Sequence, residues 1–151
     1  MELSNLDEKS ILDLGCGYGV IGIILADLFP TSQVHMTEIN KRAIWLCKKN
    51  IKNNRVNNVF IKAGNLFEPV SNLKFDLIIT NPPLALGKKI LHEIFEKSFI
   101  FLKNNGIFQC IIRTKQGAKS AFNRLKEIFG DNNVELLDIT SGYRTYRAHK
   151  I

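Results

Sequence analysis

The chain has only three cysteines in 151 residues, and Cys16, Cys47 and Cys110 stand far apart, with no paired metal spacing. They read as reduced thiols of a cytoplasmic protein. The three histidines, His35, His92 and His149, share no ligand spacing either, so no resident metal is expected. No apolar run approaches the roughly 20 residues that cross a bilayer. Met1-Glu2-Leu3-Ser4 does not open a signal peptide, so no membrane partner is expected. Repeats and low-complexity linkers are missing too, which leaves one domain. Acidic residues are in deficit, 14 against 21 Lys and Arg, giving a net charge of +7. That excess suits a polyanionic partner such as RNA or DNA. The run "KKNIKNNRVNNVFIK" also reflects a general richness in Lys, Asn and Ile, so charge alone leaves the partner an even question.

What is present is a core-sized supply of apolar residues, 45% of the chain, arranged in alternating patterns. "SILDLG", "QVHMTEI", "NVFIKA", "FDLIIT" and "GIFQCIIRT" are short apolar runs with the length and composition of buried strands. Between them, "GVIGIILADLF", "NKRAIWLCKKNIKNN", "KILHEIFEKSFIFLK" and "GAKSAFNRLKEIFG" space their apolar residues as helices do. Asn104-Asn105-Gly106 is expected to end the third helix. "NVELLDI" and "YRTYRAH", joined by Thr140-Ser141-Gly142, read as a closing antiparallel hairpin. Strands alternating with helices make a mostly parallel sheet covered on both faces. Ligands of such sheets bind beyond the carboxyl ends of the strands.

Two segments occupy that position. In "DLGCGYGVIG", Asp13 ends the first strand, and Gly15, Gly17 and Gly19 form the turn into a helix. A dinucleotide fingerprint needs G-x-G-x-x-G directly after the strand. Counted from Gly15 the third position is Val20; counted from Gly17 it matches through Gly22 but leaves Asp13-Leu14-Gly15 unexplained. A carboxylate before the turn repels a pyrophosphate and suits a cationic amino group, such as that of S-adenosylmethionine. Glu38 ends the second strand, where a carboxylate accepts ribose hydroxyls or, alternatively, caps the helix that follows. The second segment is "ITNPPLALG". Pro82 and Pro83 have no N–H to give, and each holds the residue before it extended. The result is a stiff loop that displays acceptors.

In this order, "ILDLGCGYGVIGI", Glu38 and "NPP" resemble a class I S-adenosylmethionine-dependent methyltransferase. The finer resemblance is to the methyltransferase-small family, which includes the catalytic half of the ribosomal RNA guanine-N2 methyltransferases and short archaeal relatives. "TKQGAKS" and "GYR" are similar to this subgroup, and the likeness runs from about Ser10 to His149. The resemblance implies an α/β Rossmann-like methyltransferase fold: a mostly parallel seven-stranded sheet with a C-terminal antiparallel hairpin and helices on both faces. It implies a single domain over residues 1–151. Family members carry an upstream segment that closes over the cofactor, and "MELSNLDEKS" is too short to supply it.

Carried over by position, Asp13, Gly15, Gly17 and Gly19 line the methionine and ribose part of S-adenosylmethionine, Glu38 holds the ribose, and Asn81 is expected to contact the cofactor as well as the acceptor. Asn65 stands where the family has an Asp that accepts from the adenine amine, and its side-chain oxygen can still accept that bond. Asn81 and the Pro82 carbonyl accept from an –NH₂ group, which turns the nitrogen lone pair out of conjugation and toward the methyl group; Pro83 keeps the loop rigid. Family loops often end in Phe or Tyr, and here Leu84 takes that place. It lacks a π-face; the resemblance implies that this weakens the adenine-N6 reading, where the aromatic is most usual, and leaves guanine-N2 better placed. Lys115 and Arg144, with Arg113, Lys119 and Arg147, form an expected phosphate-contacting rim. The expected function is thus methylation of an exocyclic amino group of RNA, with ribosomal guanine-N2 as target. Adenine-N6 methylation, protein glutamine-N5 methylation and an inactive RNA-binding module remain the alternatives, with a nicotinamide enzyme behind them. His92 is expected at the surface, Cys110 in the core, and Trp45 and the phenylalanines in the core.

Overall fold

The computed structural model describes residues 5–151, the side chain of Leu84 excepted. Its strands are β1 (Ser10–Leu14), β2 (Gln33–Glu38), β3 (Val59–Ala63), β4 (Phe75–Thr80), β5 (Leu102–Arg113), β6 (Val134–Thr140) and β7 (Tyr143–His149). The helices are α1 (Val20–Leu28), α2 (Lys41–Asn53), α3 (Gly87–Phe101) and α4 (Ala118–Phe129). The strands form one sheet in the order β3-β2-β1-β4-β5-β7-β6. The pairs from β3 to β5 are parallel, and β7 runs antiparallel to both β5 and β6. The expected fold is therefore present. The chain winds outward from β1 to β3, then restarts beside β1 with β4, so the switch point lies between β1 and β4.

Alternate strand residues feed two cores. Phe75, Ile78, Phe108 and Tyr146 pack with Phe95 of α3 and Leu125 and Phe129 of α4. Ile11, Val34, Met36 and Leu77 face the other way, under Ile23 and Ala26 of α1 and Cys47 of α2. Tyr146 is fully buried, and its hydroxyl donates to the Ala118 carbonyl at 2.9 Å, which seats the start of α4 on the sheet. Cys110 is buried as expected.

Two local expectations are corrected. Asn104-Asn105-Gly106 lies inside β5 rather than between helix and strand. Asn105 still takes a left-handed φ of 62°, and the register against β4 slips between Phe75 and Leu77. Lys150 keeps the ladder going, since the Asn105 N–H donates to its carbonyl and its own N–H donates to Gly106. Trp45 is not in the core: it is 61% exposed, while Ile44 and Cys47 of the same helix are buried. Phe60 is likewise 44% exposed.

Candidate active site

One rung of the sheet sets the site. Leu14 pairs with Thr37 of β2 on one side and Thr80 of β4 on the other, and Thr80 pairs with Cys110 of β5. Gly15, Glu38 and Asn81 therefore leave the sheet at the same level. The buried Thr80 hydroxyl donates to the Leu14 carbonyl at 2.9 Å, tying the root of the proline loop to the root of the glycine loop. On the far side the Gly64 N–H donates to the Glu38 carbonyl at 3.0 Å, which brings Asn65 beside the end of β2.

The glycine turn is held from below and from the side. Asp13 is 2% exposed, and its Oδ2 accepts from the Gly22 N–H in α1 at 2.8 Å. Its pKa is pushed up to about 7, first by burial, against the Gly22 hydrogen bond and with help from the Glu38 carboxylate. Glu38 Oε1 accepts from the Gly17 N–H at 2.8 Å, and its Oε2 accepts from the N–H groups of Ile39 and Asn40 at 2.7 and 2.9 Å. Of a carboxylate's roughly four acceptor sites, that leaves about one for a ligand hydroxyl. Gly15 and Gly17 have φ of 68° and 58°, and a Cβ built on either would meet nothing within 4 Å. The turn thus borders open space, with the Glu38 carboxylate at its edge and the 67% exposed Ile39 next to that carboxylate in the chain. An apolar wall, a carboxylate and glycine backbone are what an adenosine with a cationic tail requires, so these residues fit S-adenosylmethionine. Gly19 and Gly22 have another function. A Cβ on Gly19 would come within 2.6 Å of Cys47 Sγ, and one on Gly22 would run into Met36 and within 3.1 Å of Asp13 Oδ2. Gly22 lets α1 sit close against β1 and β2, and Gly19 lets the turn approach Cys47 of α2.

Beyond Asn81 a cleft of about 660 Å³ opens between the proline loop, α3, and the ends of β5 and α4. Asn81, Pro82 and Pro83 form one wall, and Ile112, Gln116 and Tyr143 stand among the residues across from it. Tyr143 reaches the cleft because β7 pairs with β5, Tyr143 opposite Arg113, and the Arg113 guanidinium lies 5.5 Å from its ring centroid. His92 also lines the cleft and is half-buried, which corrects its expected surface position. Burial, then the cations Arg124 and Lys88, hold its pKa below the usual value, so its imidazole is neutral at pH 7.

The expected cofactor residues converge: Asp13, Gly15, Gly17, Gly19, Glu38 and Asn65 cluster at the ends of β1, β2 and β3, with Asn81 adjacent. Pro82 and Pro83 line the cleft. Lys115 is exposed in the turn after β5 and Arg144 is half-buried on β7, and neither is part of the cleft wall; Arg113 is. The Leu84 side chain lies outside the described residues. Among the described residues no group of His, Cys, Asp and Glu is placed to hold a metal ion. Among the described residues no helix is long and apolar enough to cross a membrane. Thr80 left no signal in the sequence, whereas Gly22 stood as the last glycine of the offset dinucleotide match and Tyr143 within "GYR", neither with a role at the site.

Residues 1–147 match the methyltransferase small domain family. An uncharacterized Bacillus subtilis protein, YbxB, is 42% identical over 145 residues, which are 95% of this chain and 71% of its own. The ribosomal RNA small subunit methyltransferase C of Buchnera aphidicola is 29% identical over 150 residues, 96% of this chain and 44% of its own. Among solved structures, a T. thermophilus 16S rRNA N2 methyltransferase in complex with AdoMet and guanosine superposes with a TM-score of 0.84 at 22% identity. It covers 96% of this chain and 38% of its own. The chain thus spans less than half of these last two proteins.

Proposed function

The chain belongs to the methyltransferase small domain family, and so to the S-adenosylmethionine-dependent methyltransferases; from that premise we propose that it methylates an exocyclic amino group of RNA, with guanine-N2 of ribosomal RNA as the target. The observation that carries this reading is the position of Asn81, one residue past the Thr80–Leu14 link, between the glycine turn and the 660 Å³ cleft. When bound, S-adenosylmethionine supplies a methyl group activated by its sulfonium. The Asn81 side-chain oxygen and the Pro82 carbonyl accept the two N–H bonds of the amino group and aim its lone pair. Pro83 (φ −61°, ψ 142°) fixes the loop that presents them. Glu38 and Asn65 hold the adenosine end and Asp13 supports the turn from beneath. No strong base is needed, because the methylated nitrogen becomes acidic and loses its proton to water. Cys110 is fully buried, and that burial keeps its thiol protonated, so it serves no nucleophilic role.

Tyr143 supports a nucleobase as acceptor. The loop itself carries Leu84 where the resemblance leads one to expect an aromatic ring, and Tyr143 brings a ring to the lining of the same cleft. Gln116 and Ser120 bring polar groups for the base edge, and Arg113, Lys115 and Arg144 surround this end of the sheet with positive charge. The test is transfer of labelled methyl from S-adenosylmethionine to ribosomal RNA, followed by nucleoside analysis. N2-methylguanosine formed by the wild type and lost in Asn81→Ala supports the reading. N6-methyladenosine moves the target to adenine, and label found only in protein glutamine overturns RNA as acceptor.

A further inference from the structure

α2 carries five cations, Lys41, Arg42, Lys48, Lys49 and Lys52, and no acid, and every one of the five is exposed. At about 100° per residue they share one arc of the helix, opposite the packed residues Ile44, Cys47 and Ile51. Trp45 falls at the middle of that arc, with Lys41 and Lys49 one turn away on either side and Lys49 Nζ 5.3 Å from its ring centroid. Arg55, also exposed, continues the row past the helix end. Among the described residues the ion pairs draw on Lys97, Lys103, Arg124, Arg147 and His149, and on no cation of α2. Lys48 and Lys52 are like charges at i,i+4, which weakens a helix rather than supporting it. The helix is instead held by its Asn40 cap, whose side chain accepts from the Arg42 and Ala43 N–H groups, and by its buried side. Among the described residues the row of charge therefore has no ion-pair partner.

We propose that the outer face of α2 binds a single-stranded stretch of the RNA substrate, its lysines on successive phosphates and Trp45 stacked on an unpaired base. This rests on the reading of RNA as acceptor and places a second contact away from the acceptor cleft, on the other flank of the cofactor turn. Positive charge interleaved with an exposed ring is the arrangement that holds single strands, since every base has a π-face and every nucleotide a phosphate. An anionic membrane fits the same charge less well. The apolar side of α2 is consumed by the sheet, and the outer face offers a bilayer little beyond Trp45 and the 36% exposed Leu46.

Trp45 is the one tryptophan of the chain, so intrinsic emission reports on this face alone. Titrating the full chain with an oligouridylate of about 12 nucleotides is expected to quench it. Trp45→Ala, followed by salt-dependent filter binding, is expected to weaken affinity about 5-fold or more, and Trp45→Phe to restore most of it. The triple change Lys48→Gln, Lys49→Gln, Lys52→Gln is expected to flatten the slope of log affinity against log salt by about 2. Calorimetric titration with S-adenosylhomocysteine should be unchanged in all three, which separates this face from the cofactor site and from misfolding. Unaltered RNA affinity and salt slope in the variants overturn the inference, as does quenching by phosphatidylserine vesicles with no response to RNA. Wild type that methylates RNA with such unaltered variants sinks α2 alone. Wild type that methylates only protein sinks the acceptor reading, and the same titration still decides for or against RNA on α2.

Discussion

Asp13→Asn isolates the cost of burying a carboxylate under the glycine turn. The amide oxygen can still accept from the Gly22 N–H, so the support for α1 is kept and only the titration is removed. In the unfolded chain an aspartate loses its proton near pH 4, whereas in the folded chain Asp13 keeps it to about 7. Between these values the folded state binds one proton more than the unfolded state, so stability falls as pH rises. The slope is about 1.36 kcal/mol per pH unit. Over the window from about 4 to about 7 the loss reaches the order of 4 kcal/mol, present in full above pH 7. The variant has no such group. Its stability relative to wild type should rise by that amount between pH 4 and pH 8, read by urea unfolding at several pH values. A difference that stays flat with pH, or wild type gaining on the variant, would show that burial does not raise the Asp13 pKa.

Gly22→Ala places a methyl group against Met36 and Asp13; it should destabilise by about 1–3 kcal/mol in chemical unfolding, as over-packing does. Thr80→Val removes the hydroxyl bond to the Leu14 carbonyl. It should cost about 1 kcal/mol of stability and weaken methyl transfer by loosening the two loop roots together. Tyr146→Phe strips the donor from the buried Ala118 carbonyl and should cost about 1–3 kcal/mol, visible in a thermal melt. Asn81→Ala should lower methyl transfer by about 10²–10³, the usual penalty for losing one catalytic hydrogen bond, while calorimetry finds cofactor affinity within a few-fold of wild type.

β1 to β4 were legible because each is a short apolar run closed by glycine or asparagine, and the helices because their apolar residues recur at 3.6. The glycine turn and the proline loop were legible because their chemistry is contiguous in the chain. What escaped was long-range. Thr80 bonds a carbonyl 66 residues away, and nothing in "IITNPP" indicates it. Tyr143 joins the cleft through the β5–β7 pairing, which places the last hairpin beside Asn81 only once the sheet is assembled. Trp45 was misplaced because size and apolarity argued for the core. Its neighbours Lys41, Arg42, Lys48 and Lys49, at three and four residues to either side, were the signal that it faces outward.

Glu38 as the organiser of a cofactor cradle, which Asn81 separates from the acceptor cleft, is the basis of the proposed cofactor site. It is tested most directly by calorimetric titration of wild type, Glu38→Ala and Asn81→Ala with S-adenosylhomocysteine. The expected result is binding by wild type, loss in Glu38→Ala, where the Gly17, Ile39 and Asn40 N–H groups lose their acceptor, and retention in Asn81→Ala. Equal binding by wild type and Glu38→Ala, or binding that depends on Asn81 and not on Glu38, would contradict it.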